Sequence, residues 1–154
     1  MKWTFYRLDS LPADGSIVWC KYPHREAKGH PGPTARPVLV RKTSILSIDG
    51  EKFGTVDVSY GTGEFNERHR EIDLVIGDMR RARDLGLHKP TRFSLDSRDR
   101  KNLPWCEEFF VAPSYVRGCG IVLGRIGEDE ITRLKACLEK RRLTIAANTR
   151  TTTG

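Results

Sequence analysis

Two long runs of strand-forming residues, joined by Asp49 and Gly50, constrain the fold of this chain more than any other feature. Residues 36–48 and 52–60 carry β-branched and aromatic side chains, which favour an extended backbone. An Asp-Gly pair between two such runs is a strong hairpin signal, because both residue types tolerate the positive φ of a tight turn. The sequence therefore predicts a long hairpin.

Shorter elements flank this hairpin. The best predicted helix covers residues 128–143, where Ile131, Leu134 and Leu138 recur on one face at helical spacing. Its first residues are acidic and its last are basic, which complements the helix dipole. Other predicted elements are strands at 16–22, 72–76, 91–95, 104–111 and 120–123, and a short helix at 77–85. Short strands followed by a terminal helix predict a mainly β (α+β) fold, a small, partly open β-barrel.

Length and composition indicate one globular domain with an extension at each end. The chain has 154 residues, of which 38% are hydrophobic and 31% are charged. We assign residues 1–14 to an aromatic N-terminal extension, 15–143 to the barrel and 144–154 to a disordered polar tail. No apolar run approaches the ~18 residues that span a bilayer. Residues 1–7 lack the apolar core of a signal peptide. We therefore expect a cytoplasmic protein with no membrane partner.

The positive charge is concentrated in two blocks, which indicates a polyanionic partner. The net charge is +7, and the isoelectric point is about 9.5. Residues 21–42 hold six basic residues against Glu26, and residues 80–101 hold eight against Asp84, Asp96 and Asp99. The alternative is a basic surface that only confers solubility, and charge alone does not separate RNA from DNA.

The four cysteines do not form a metal-binding pattern. They lie at positions 20, 106, 119 and 137, with no Cys-x-x-Cys pair. Cys20, His24 and His30 offer three candidate ligands, but no convincing fourth lies nearby. The sequence predicts free thiols and no metal site.

A glycine- and proline-rich loop at residues 29–37 carries the residues that suit phosphodiester chemistry. It contains His30, whose side-chain type titrates nearest physiological pH. It also contains Arg36, whose planar guanidinium fits phosphate oxygens. A proton carrier and a phosphate clamp on one loop are suited to cutting a phosphodiester, and the alternative is a basic, solvated loop.

Five segments, in this order, resemble the MazF/PemK (Kid) family of toxin endoribonucleases over residues 15–143. They correspond to the family's opening strand, its Gly-His…Arg-Pro-Val-Leu signature, a Thr-Ser turn, a Gly-Leu…Lys-Pro-Ser strand leading to an aspartate, and a Gly-Arg-Leu-Ser element. The segments are residues 15–19, 29–40, 59–63, 86–96 and 123–127.

The resemblance implies an SH3-like barrel that forms a homodimer. It also implies a sequence-selective endoribonuclease that cleaves single-stranded RNA, such as mRNA, without metal or other cofactor. In this family the 2′-hydroxyl attacks the phosphate and leaves a cyclic phosphate product. Such toxins inhibit growth until an antitoxin covers the site with an acidic, disordered tail, and that tail would suit the basic surface here.

The resemblance implies catalytic roles for four residues. This reaction needs a base, an acid and positive groups around the phosphorane. His30 would carry the proton, Arg36 would stabilise the phosphorane, and Thr62 would donate a hydrogen bond to the phosphate. Asp96 would act as a base. Each residue also has a structural alternative. These are an exposed loop histidine for His30, a strand-end arginine for Arg36, ordinary turn chemistry for Thr62, and an N-cap or turn role for Asp96.

Phosphate contacts are expected from Lys28, Lys89 and Arg92, which would add affinity with little sequence information. Base stacking is expected from aromatic side chains. Tyr22 and Tyr60 are candidates for that role, and core packing is the alternative for both.

One departure from the family pattern leaves other functions open. Relatives that use the aspartate place a basic residue two positions before it, where this chain has Ser94. Arg92 lies on the same face of the predicted strand and is a possible substitute. Ser94 favours a second hypothesis, a non-catalytic nucleic-acid-binding module. A third hypothesis is a fold relative that acts by protein contact, which the basic helix end at residues 140–142 disfavours.

Overall fold

A seven-stranded antiparallel sheet curls into a half-barrel in the computed structural model, which describes residues 3–116, 118 and 120–153. The strand order is β4-β5-β3-β2-β1-β7, and β6 pairs with β3 outside this path. The predicted mainly β class with a C-terminal helix is confirmed. The strands are β1 (Ser16–Cys20), β2 (Arg36–Ile48), β3 (Glu51–Thr62), β4 (Leu74–Ile76), β5 (Thr91–Phe93), β6 (Arg100–Pro104) and β7 (Val122–Arg125), and the helices are α1 (Met79–Asp84) and α2 (Glu128–Thr153).

The predicted hairpin is confirmed as β2 and β3. Asp49 and Gly50 both take positive φ, of 52° and 82°, as a tight turn between twisted strands requires. Val38 pairs with Tyr60, and the register shifts after Val40 at a bulge. The hairpin therefore brings the start of β2 beside the end of β3.

The other edge of β3 joins two further strands. Ser59 pairs with Arg100 of β6, and Thr62 pairs with Arg92 of β5. The second basic block (residues 80–101) therefore lies at the same end of β3 as the first (residues 21–42).

The N-terminal extension packs against the sheet. Phe5 bridges to Cys106, the Tyr6 N–H donates to the Trp105 carbonyl oxygen, and the Tyr6 hydroxyl donates to the Phe110 carbonyl oxygen at 2.7 Å. Trp3, Phe5 and Tyr6 pack on the cluster that contains Phe109 and Phe110. These residues therefore complete one side of the hydrophobic core.

The prediction of a strand at residues 104–111 is wrong, because the strand in this region ends at Pro104. Strand β6 covers Arg100–Pro104, and the chain then turns. Trp105, Phe109 and Phe110 are fully or almost fully buried in that irregular segment. Their apolar character reflects core packing rather than a place in the β-ladder.

The structure also corrects the predicted end of the last helix. Helix α2 continues to Thr153 instead of ending at residue 143, so residues 144–153 of the expected disordered tail are helical. The Thr144 hydroxyl donates to the Lys140 carbonyl oxygen within the helix, and Ala146 and Ala147 favour helical backbone. A polar composition did not prevent helix formation here.

A buried carboxylate joins α2 to the sheet. Asp73, whose side chain is 1% exposed, accepts from Arg92 at 2.8 Å and from Arg141 at 2.6 Å. It also accepts from the Leu95 N–H at 2.8 Å. Among the described helices, none combines the length and the apolar character needed to cross a membrane.

Replacing this carboxylate is expected to destabilise the fold strongly. Asp73→Asn leaves two partly buried guanidinium groups without a counter-charge, which costs about 3–5 kcal/mol of unfolding free energy. Glu71→Gln is the matched control, because it removes only the exposed Lys140–Glu71 pair between the same elements. That control should cost less than about 1 kcal/mol. Urea denaturation measures both, and equal losses would contradict a special role for Asp73.

Candidate nucleic-acid interface

A groove of about 890 Å³ opens between the loop that follows β1, the start of β2 and the β3–β6 edge. We call it the basic groove, because cations dominate its charged lining. Those cations are Arg25, Lys28, Arg36, Arg98 and Lys101. The acidic lining residues are Glu26 and Asp99. The two basic blocks of the sequence meet here.

Two tyrosine rings lie in this groove. The centroids of Tyr22 and Tyr60 are 5.0 Å apart, with the planes tilted by 54°. The Lys101 ammonium lies 6.0 Å from the Tyr22 centroid, and the Arg36 guanidinium carbon lies 6.0 Å from the Tyr60 centroid. Cations over aromatic faces form a surface on which planar, anionic ligands bind well.

Arg36 retains most of its capacity to bind an anion. Its Nη1 donates to the Tyr60 hydroxyl at 2.9 Å. None of the described carboxylates forms an ion pair with it. The remaining guanidinium donors are therefore available for phosphate oxygens.

Tyr22 is a fixed ring and not a proton carrier. Its hydroxyl donates to the Asp99 carbonyl oxygen at 2.9 Å. Burial raises the pKa of Tyr22 well above its usual range, and the nearby Asp99 carboxylate adds to this shift. The phenol therefore stays neutral in physiological conditions.

The two histidines of the loop occupy different positions. Both are exposed, but His24 lines the basic groove and His30 is not among the lining residues. Sequence reasoning considered His24 only as a metal ligand and missed that it lines the same groove as Arg36. Its position in the loop directly after β1 was the available signal.

Thr62, Lys89 and Arg92 form a separate group at the end of β3. The Thr62 hydroxyl accepts from the Glu64 N–H, and the Lys89 side chain lies against Gly63. Arg92 is held by the buried Asp73 and by the Glu64 carbonyl oxygen. None of the three lines the basic groove, and the Arg92 ion pair competes with any phosphate.

Asp96 caps the turn Ser97–Asp99 and lies outside the basic groove. Its Oδ1 accepts from the Arg98 N–H, and its carboxylate also binds the Arg98 guanidinium at 2.8 Å and 3.1 Å. These hydrogen bonds lower the pKa of Asp96 to about 2. A carboxylate with so low a pKa is a weak base.

The described cysteines are free and buried, as the sequence predicts for thiols. Burial raises the pKa of Cys106 to about 11 and that of Cys20 further. Cys119 lies outside the described residues. Within the described ranges, no three His, Cys, Asp or Glu side chains gather where they would hold a metal ion.

Comparisons of this chain with models of protein families, with curated proteins and with solved structures found no match. The geometry of the basic groove therefore has to carry the functional argument.

Removing Arg98 is expected to raise the pKa of Asp96. In Arg98→Ala, the Asp96 carboxyl should titrate above its wild-type value of about 2 and closer to the ordinary value of 3.8, because the side-chain hydrogen bonds are lost while the backbone N–H of residue 98 still donates to Oδ1. A lowered pKa favours the folded state above the ordinary pKa, and this contribution is lost as the pH falls through about 2. NMR of the carboxyl carbon follows the titration. Arg142→Ala, which removes a remote pair with Glu139, is the control. Titration of wild-type Asp96 near 3.8 would contradict this assignment.

Proposed function

We propose that this protein binds single-stranded RNA in the basic groove and cleaves it without a metal ion. The observation that carries the proposal is Arg36, which has no carboxylate partner among the described residues and lies over one of two adjacent tyrosine rings. His24 lies in the same groove and supplies an imidazole, the side chain used most often for general acid–base catalysis.

The groove suits a single strand better than a duplex. Lys28, Arg36 and Lys101 supply positive charge for the backbone phosphates. Tyr22 and Tyr60 supply rings on which unpaired bases stack. Bases within a duplex are already stacked on each other and would not reach these rings.

The reaction proceeds by internal transfer of the phosphate. His24 takes the proton of the 2′-hydroxyl, and the 2′-oxygen forms a bond to phosphorus. Arg36 stabilises the negative charge of the phosphorane. The bond from phosphorus to the 5′-oxygen then breaks, and that oxygen takes a proton. Tyr60 would give it, since its hydroxyl oxygen accepts from Arg36 and none of the described acceptors takes its hydrogen. The products are a 2′,3′-cyclic phosphate and a 5′-hydroxyl.

The resemblance to MazF/PemK toxins extends this proposal. The extended proposal includes an SH3-like barrel, a homodimer, sequence-selective cleavage of mRNA and growth inhibition. An acidic antitoxin tail would bind the same cations and block the strand. The half-barrel with its basic groove supports this reading.

A second candidate is a nucleic-acid-binding module without catalysis. The binding of Asp96 to Arg98 favours it, because the family's aspartate base is then neutralised. The buried Ser94 also favours it, since no basic side chain occupies that position.

Cleavage of a mixed-sequence single-stranded RNA in EDTA tests the first candidate. His24→Ala should slow cleavage by about 10²–10⁴-fold, as expected for loss of an acid–base group. Arg36→Ala should slow it by about 10²–10³-fold through loss of charge stabilisation. Arg83→Ala, at an exposed arginine of α1 that does not line the groove, is the matched control. Gel analysis of the fragments, with detection of the cyclic phosphate end, measures each rate.

The outcomes separate the alternatives. Loss of cleavage in His30→Ala but not in His24→Ala would return the proton carrier to His30. Tight binding without fragments would favour the binding module. RNA that is neither bound nor cut would contradict both candidates and favour a protein target.

The salt dependence of binding tests the phosphate contacts separately. Each phosphate contact with a single strand contributes a slope of about −0.7 to log K against log salt. Lys28→Ala should reduce the magnitude of the slope by about that amount. Lys52→Ala, an exposed position near the hairpin turn, should leave the slope unchanged. Fluorescence anisotropy over a salt series measures both, and equal slopes for Lys28→Ala and wild type would exclude a contact by Lys28.

A further inference from the structure

The basic groove contains an acidic side chain, that of Asp99, which phosphate binding does not explain. A carboxylate repels phosphate, so Asp99 weakens the attraction that the surrounding cations provide. Glu26 also lines the groove, but it is exposed on the loop. Asp99 is only partly exposed and lies next to the tyrosine pair.

The position of Asp99 is fixed from several sides. The hydroxyl of Ser94, which is 2% exposed, donates to Asp99 Oδ2 at 2.8 Å. The Tyr22 hydroxyl donates to its carbonyl oxygen at 2.9 Å. Its own N–H donates to the Asp96 carbonyl oxygen at 3.0 Å. These bonds fix the carboxylate relative to a ring on which a base would stack.

The same carboxylate keeps free acceptor capacity. Its Oδ1 accepts no hydrogen bond from any described side chain or N–H group. The adjacent Arg98, which would otherwise pair with it, is held in two hydrogen bonds by Asp96. Asp96 therefore acts as a positioning residue for Arg98, and no cation among the described residues forms an ion pair with Asp99.

Guanine is the base whose donors match a carboxylate. Its Watson–Crick edge presents two neighbouring donors, N1–H and the N2 amino group, to the two carboxylate oxygens. Adenine and cytosine present one donor group beside an acceptor, and uracil presents one donor between two acceptors. An acceptor-only side chain leaves those acceptors unpaired or repelled.

We propose that Asp99 accepts hydrogen bonds from a guanine base stacked at Tyr22 and Tyr60, and so gives the basic groove a preference for guanine. This inference rests on the RNA binding proposed above. It adds a specificity residue to that site.

Binding of oligouridine strands that carry one variable nucleotide tests the inference. The wild-type protein should bind a strand with guanosine about tenfold more tightly than strands with adenosine, cytidine or only uridine. Inosine, which lacks the N2 amino group, should give an intermediate affinity. Strands with 2′-O-methyl groups cannot be cleaved, so fluorescence anisotropy at one salt concentration reports binding alone.

Two variants complete the test. Asp99→Asn should lose the preference for guanosine and bind plain oligouridine as tightly as wild type or more tightly. Asp84→Asn removes an exposed carboxylate of α1 outside the groove and should keep the preference. Thermal denaturation checks that both variants are folded, and the inosine strand tests the wild-type protein without any substitution.

The results distinguish a failure of the Asp99 proposal from a failure of the proposed RNA binding and cleavage. Equal binding of all strands, or a preference for adenosine or cytidine, would overturn the role of Asp99 and leave RNA binding intact. Retention of the guanosine preference in Asp99→Asn would overturn it as well. A guanosine preference without cleavage of natural RNA would support Asp99 and contradict the ribonuclease. Absence of binding to every strand would overturn both proposals.

Discussion

The register of β3 is the constraint on which both the core and the basic groove depend. This strand pairs with β2 along one edge and with β6 and β5 along the other. Its alternation buries Ser59 completely and leaves Tyr60 to line the groove, where it meets Arg36 from β2. A slip by one residue would exchange the two faces, bury the tyrosine position and separate it from Arg36.

The arginines of this basic chain divide into two groups with different roles. Arg92 and Arg141 neutralise the buried Asp73 and attach the last helix to the sheet. Arg98 is held by Asp96, while Arg36 has no carboxylate partner among the described residues. The number of basic residues therefore overstates the positive charge that is free to bind a partner, and the ion pairs show which cations are already neutralised.

Short-range sequence signals, such as turn residues, predicted those parts of the fold that depend on neighbouring residues. The Asp49-Gly50 turn identified the central hairpin, but the apolar segment around Phe109 and Phe110 was assigned to a strand although it fills the core without one. Arg36 and Lys28 were chosen from the sequence and do line the groove. The role of Asp99 was not predictable, because it depends on Tyr22, which is distant along the chain.

The most direct test of this account is an NMR titration of the protein with a 2′-O-methyl single-stranded RNA that binds without being cleaved. The account predicts that the ring signals of Tyr22, Tyr60 and His24 and the side-chain signal of Arg36 shift together as the strand is added. Shifts confined to the exposed face of α2, with these signals unchanged, would contradict the assignment of the basic groove as the RNA site.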